Sequence, residues 1–109
     1  MSTPVILPVK PLALRDLVAY QEGAIVSRVL LRTEHGSVTL FAFDAGEHLS
    51  EHTTPYDALW YALEGESWVT VGRERHRVRA GEVLRLPAQV VHAVEARKRF
   101  KALLVMLRV

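Results

Sequence analysis

The 109-residue chain contains no cysteine. That absence excludes a disulfide framework, a thiolate-rich zinc site and a thiolate nucleophile. Long hydrophobic runs are missing too, since no uninterrupted apolar stretch exceeds six residues, as in Ala102 to Leu107. A bilayer-spanning helix needs about 20 such residues, so no membrane partner is expected. Met1 to Pro8 carries no basic side chain and no extended apolar segment. It does not read as a secretory leader, and the expected location is the cytoplasm. Charge of one sign is scarce as well. Fourteen bases, eleven of them Arg, stand against twelve acids and leave a formal net charge of +2. No helix-turn-helix segment is visible, so nucleic acid is not an expected partner. Nor is there a nucleophile triad, because Ser50 and His52 are same-strand neighbours with no orienting acid.

What is present is globular in character. With 50% hydrophobic and 24% charged residues, wholesale disorder is excluded. The length suits one core, so a single domain over 1–109 is expected. Alternating, β-branched or aromatic stretches predict strands at Ile25 to Leu31, Val38 to Phe43, Ala58 to Leu63, Trp68 to Val71, Val83 to Leu86, Val90 to Val94 and Phe100 to Leu107. Glycine turn signals fall between them, leaving no room for crossover helices. The expectation is an all-β antiparallel sandwich or barrel. Pro11 to Leu17 alone is spaced for a helical turn. Arg73, Arg75, Arg77 and Arg79 alternate, which puts them on one face of a strand. That pattern suits a solvated strand whose charge discourages edge pairing, and an anion-binding stripe is the competing reading.

Two polar segments interrupt the apolar pattern. In the first, Gly46 to Ala58, the residues His48, Ser50, His52 and Thr54 share a face if the chain is extended. The second runs from Gly81 through Pro87 and Gln89 to His92. His48 and His52 lie four residues apart, about 13 Å along a strand, too far to hold one ion together. His48 therefore reads as a solvated or core-edge histidine, and His35 beside Gly36 and His76 among the arginines as structural or solvated ones.

These two segments resemble the cupins, small conserved-barrel proteins built as a double-stranded β-helix, or jelly roll. The family's first motif has a Gly, five residues, His-x-His, three or four residues and a Glu, with a closing Gly. Gly46, His52 and the run Leu59 to Glu66 match it. The second motif has a Gly, five residues, Pro-x-Gly, two residues and His. Gly81, Pro87 and His92 match, while Gln89 replaces the glycine. The resemblance spans about 36–107, with an N-terminal arm over about 1–24, and two motifs in register are far more specific than one.

The resemblance implies a metal site from which two of four ligands are lost. His52 and His92 remain, whereas Thr54 stands at the second His and Ala58 at the Glu. Two imidazoles imply at most one weakly bound divalent ion (Zn, Ni, Fe or Mn), or none. Asp57 is the candidate third ligand if the Thr53 to Tyr56 loop is irregular, and Gln89 can supply an oxygen. Among the aromatics Tyr56, Phe43 and Trp60, the last shares an inward face with Ala58 and Ala62. Those small neighbours are expected to leave space beside the indole. The expected pocket comprises His52, Thr54, Trp60, Gln89 and His92. Two functions stand open: a small-molecule-binding cupin without strong metal, or a metal-dependent enzyme of dioxygenase, isomerase or decarboxylase type. Outward-facing Leu59, Tyr61 and Leu63, with the apolar stretch Val5 to Leu7, point to a homodimer.

Overall fold

A computed structural model describes residues 6–109, so of the Val5 to Leu7 stretch Val5 lies outside the described residues. Nine strands form: β1 (Ile25–Thr33), β2 (Gly36–Phe43), β3 (His48–His52), β4 (Tyr56–Glu64), β5 (Glu66–Val71), β6 (Glu74–Arg79), β7 (Val83–Leu86), β8 (His92–Glu95) and β9 (Phe100–Arg108). Every pairing is antiparallel. One sheet has the order β1-β2-β9-β4-β7 and the other β3-β8-β5-β6. This is the expected jelly-roll barrel. Among the described residues, no helix is long and apolar enough to cross a membrane.

The alternation along β4 and β9 decides what lies between the sheets. Ala58, Trp60 and Ala62 are buried inward, with Phe100 and Ala102 beside them from β9. Phe43 stacks on Phe100 at 4.5 Å, and Trp60 meets both rings edge-on at 6.3 and 6.0 Å. The indole Nε1 of Trp60 donates to Ser67 Oγ at 2.9 Å, tying one sheet to the other. The expected space beside this indole is therefore occupied. Ala58 and Ala62 are small because Phe41, Phe43 and Phe100 reach in from other strands. Trp60 is 1% exposed and belongs to the core, not to a pocket wall.

Most strand ends shift by one or two residues, β3 and β6 join the seven predicted strands, and two differences have a clear local cause. The strand predicted from Val90 begins at His92, because Val90 N–H donates back to Pro87 O and closes a turn. Pro11 to Leu17 narrows to a 3-10 turn at Leu14–Leu17. That turn, with Val18 and Tyr20, covers one end of the outer face of the five-stranded sheet, over Leu40, Ala42 and Leu103. Polar bonds pin it there. Tyr20 donates to Glu64 Oε2 at 2.6 Å, and Lys101 Nζ donates to Arg15 O at 2.7 Å. Burial and the Glu64 acceptor push the Tyr20 phenol pKa well up.

The arginine stripe sits on β6, an edge strand, with Arg73 in the preceding turn. Arg75 pairs with Glu95 at 2.8 Å and Arg77 lies 3.6 Å from Glu66. The guanidinium groups of Arg97 and Arg75 lie 4.0 and 4.9 Å from the Trp68 ring centre. Opposite charges and an aromatic ring thus engage Arg75 and Arg77 at this edge.

Candidate functional site

Each histidine-bearing segment opens on a motif glycine with the same backbone requirement, Gly46 ahead of β3 and Gly81 ahead of β7. Gly46 has φ +89 and Gly81 has φ +90, a region that L side chains adopt only with strain. After Gly46, β3 pairs with β8 through His48 with Glu95 and Leu49 with Val94, then shifts register so that His52 pairs with His92. Three steps along β3 thus match two along β8, which defines a bulge. The extra residue reverses side-chain parity. His52 takes the face of inward-pointing Leu49, whereas His48 lies beside exposed Glu95 on the outer face. The expected common face of His48, Ser50 and His52 does not exist.

The two imidazoles meet edge to face with their ring centres 4.3 Å apart. Backbone carbonyls orient both rings. His52 Nδ1 lies 2.9 Å from Ser50 O, and His92 Nδ1 lies 3.3 Å from Val90 O. A carbonyl only accepts, so each Nδ1 carries the hydrogen and each Nε2 of the neutral ring keeps a free lone pair. His92 is buried while His52 is exposed. Burial, reinforced by the neighbouring His52, pushes the His92 pKa below its usual value of 6.5.

This depression has a consequence for stability. In the unfolded chain His92 returns to about 6.5, so below that pH the unfolded state binds more protons than the folded one. Stability therefore falls as the pH drops through this window, by at most about 1.4 kcal/mol per pH unit for one group. Asp44, whose carboxyl is held down by Arg99, acts only below 3.8 and does not interfere. Urea unfolding from about pH 7.5 down to 5 should show a steeper loss for the native chain than for His92→Asn. Parallel curves would exclude His92 as the group responsible.

The loops flanking the pair bring Thr54 and Gln89 together, since Gln89 N–H donates to Thr54 O at 2.8 Å. Gln89 has φ +65, so the motif's glycine conformation is retained without the glycine. Such a conformation costs a non-glycine residue about 1–2 kcal/mol. Thr54 Oγ1 is engaged locally, 3.3 Å from Tyr56 N. Asp57 does not join the histidines. It shares the outward parity of Leu59, accepts from Ala88 N at 3.0 Å and lies 3.9 Å from Arg85 Nη2. Ala58, at the place of the family's Glu, is 6% exposed and packed in the core.

Two neighbouring imidazoles with free Nε2 atoms are sound metal donors, but a resident divalent ion generally needs three or more protein ligands. Among the described residues, no group of three or more His, Cys, Asp or Glu side chains is placed to hold one. The residues present do not fit the family's full metal centre. Sequence reasoning missed the orienting roles of the Ser50 and Val90 carbonyls. The recurring signal is a carbonyl two residues before each histidine, legible only once both turns are known. It also missed a groove of about 380 Å³ outside the second sheet, lined by His48, Ser50, Thr70, Arg75 and Glu95 among others. The bulge that turns His52 inward leaves His48 on that outer side.

Known proteins share this architecture. Over 74 residues the chain is 35% identical to an uncharacterised protein of Streptomyces coelicolor, covering 68% of this chain and 69% of that one. A conserved protein of unknown function from Streptococcus pyogenes superposes with a TM-score of 0.91 at 31% identity, over 100% of this chain and 96% of that one. A cupin superfamily protein from Desulfitobacterium hafniense gives a TM-score of 0.89 at 30% identity, with 95% of each chain covered. The family model described as the cupin domain matches residues 39–107, which take in both glycine-led segments and both histidines, and the chain belongs to that family.

Proposed function

We propose that this cupin binds a small polar molecule through the His52–His92 pair, with metal bound weakly or not at all. The observation that carries the reading is the pair of imidazoles 4.3 Å apart, each oriented through Nδ1 by a backbone carbonyl, with no third ligand among the described residues. When neutral, a ring whose Nδ1 donates to its carbonyl leaves Nε2 as an acceptor, which suits a ligand with hydroxyl or other donor groups. Aromatic side chains fill the barrel interior, so the ligand sits at the rim, near Thr54 and Gln89. Trp60 takes no direct part.

The test is a thermal-shift and NMR screen of small hydroxy acids and polyols, with metal titrations in parallel. His52→Ala should weaken a hit by about tenfold, the worth of one hydrogen bond, and barely move the melting temperature because His52 is exposed. Hits indifferent to that substitution would exclude the pair as the binding site. If the native chain instead takes one equivalent of zinc, nickel, iron(II) or manganese at sub-micromolar affinity, the metal-dependent enzyme reading replaces this one.

A further inference from the structure

The four-stranded sheet carries a tryptophan on the side away from the core. Alternation along β5 buries Val69 in the barrel, so Trp68 and Thr70 point outward. The register aligns His48, Glu95, Trp68 and Arg77 in one row across β3, β8, β5 and β6, with Ala93, Thr70 and Arg75 in the next. Ala93 and Thr70 are short, and the groove of about 380 Å³ outside this sheet opens over them. Trp68 and Arg75 line one end of it, and His48, Ser50 and Glu51 from the β3 side line the other. Its volume lies in the range of small-molecule sites.

The indole Nε1–H of Trp68 is buried and has no acceptor. Such an orphan donor is rare in a folded protein and marks a place where a partner is missing. The side chains around the ring cannot supply one. Arg97, Arg75 and Arg77 place their guanidinium groups 4.0, 4.9 and 5.9 Å from its centre, and arginine only donates. Arg75 and Arg77 have carboxylate partners in Glu95 and Glu66, whereas Arg97 has no such partner among the described residues. Three guanidinium groups thus face two carboxylates, which leaves one positive charge uncompensated.

We propose that this groove is a second binding site, outside the barrel, for a small organic acid. One carboxylate accepts from Trp68 Nε1 and pairs with Arg97, and a hydroxyl or amino group of the same molecule reaches the Glu51 end. The charge left over suits one carboxylate and not several. Glu51, Glu66 and Glu95 are spread over the same face and repel a polyanion such as a nucleic-acid strand. At the far end Glu51 accepts, and Ser50 and His48 both donate and accept, so that end favours a hydroxyl or amino group over a second acid. The site lies across the sheet from His52, which points to the other face.

The chain has two tryptophans, so a proton–nitrogen NMR spectrum holds two indole resonances, which Trp68→Phe assigns. Titration with α-hydroxy and α-amino acids should move the Trp68 resonance downfield as its N–H gains an acceptor. That of Trp60, already bonded to Ser67, should stay in place. The matching alcohols and amines, which lack the carboxylate, should move neither. Arg97→Gln alters an exposed residue, keeps the fold and should weaken the response by at least about tenfold. His52→Ala should leave it unchanged, which separates this site from the histidine pair. A Trp68 resonance unmoved by every acid, or moved as much by the carboxylate-free compounds, overturns the proposal. So does one moved by inorganic phosphate alone. A response abolished by His52→Ala and indifferent to Arg97→Gln assigns the acid to the histidine pair and overturns the second site.

Discussion

Thr54→His combined with Ala58→Glu should raise affinity for divalent metal by at least about 100-fold over the native chain. Losing a mere supporting partner of a metal ligand costs about 10–100-fold, so adding two direct ligands should exceed that range. The two existing imidazoles are ready for the role, each Nδ1 held by a carbonyl and each Nε2 free. The cost falls on stability without metal. Ala58 is 6% exposed and packs with the core, so an unpaired glutamate there must stay protonated or force the barrel apart. The metal-free variant should thus melt below the native chain and recover when metal is added. At about 1,000 times Kd, binding stabilises by about 4 kcal/mol. Calorimetric titration of zinc, nickel, iron(II) and manganese into both proteins checks the affinity, and melting curves check the recovery. A variant that folds yet binds no better than the native chain would show that positions 54 and 58 do not converge on the histidines.

Trp60→Ala should be the most destabilising single substitution in the barrel. Emptying a buried tryptophan site costs about 3–5 kcal/mol. Leaving Ser67 Oγ, otherwise bonded to the indole at 2.9 Å, without its donor adds about 1–3 kcal/mol. Domains of this size are stable by only about 5–15 kcal/mol, so a large share of the margin is at stake. Trp60→Phe keeps a ring against Phe43 and Phe100 and should cost clearly less. Urea denaturation of both variants, with His52→Ala as the exposed reference, measures the differences. A loss below about 1.5 kcal/mol for Trp60→Ala would mean the interior is not filled as described.

The strands were legible because side chains alternate. Ala58, Trp60 and Ala62 inward against Leu59, Tyr61 and Leu63 outward follows directly from a period of two. The two glycine-led segments gave the family and placed both histidines. The bulge in β3 was not legible. Parity counting assumes that every residue advances the pleat, and an inserted residue leaves no mark in composition. His48 was therefore put on the wrong face. The same limit applies to Trp60. Small neighbours at 58 and 62 suggest space when one strand is read alone, but Phe41, Phe43 and Phe100 arrive from strands distant in sequence. Asp57 follows the irregular stretch 53–55, but β4 begins at Tyr56, so alternation from there sends it outward with Leu59. Val90 belongs to the turn begun by Pro87, whose closing hydrogen bond outweighs a β-branched residue's preference for a strand.

Strand order also governs how the chain can be assembled. β9, the last strand in sequence, lies between β2 and β4 and is the only link between them in the five-stranded sheet. Until residues 100–108 leave the ribosome, both flanking strands keep a bare edge, and Phe43 lacks the ring it stacks upon. At about 5–20 residues per second, the wait after β2 is synthesised lasts several seconds. Stable folding is thus deferred to the end of the barrel's synthesis, and the exposed edges in the interval are open to pairing with other nascent chains.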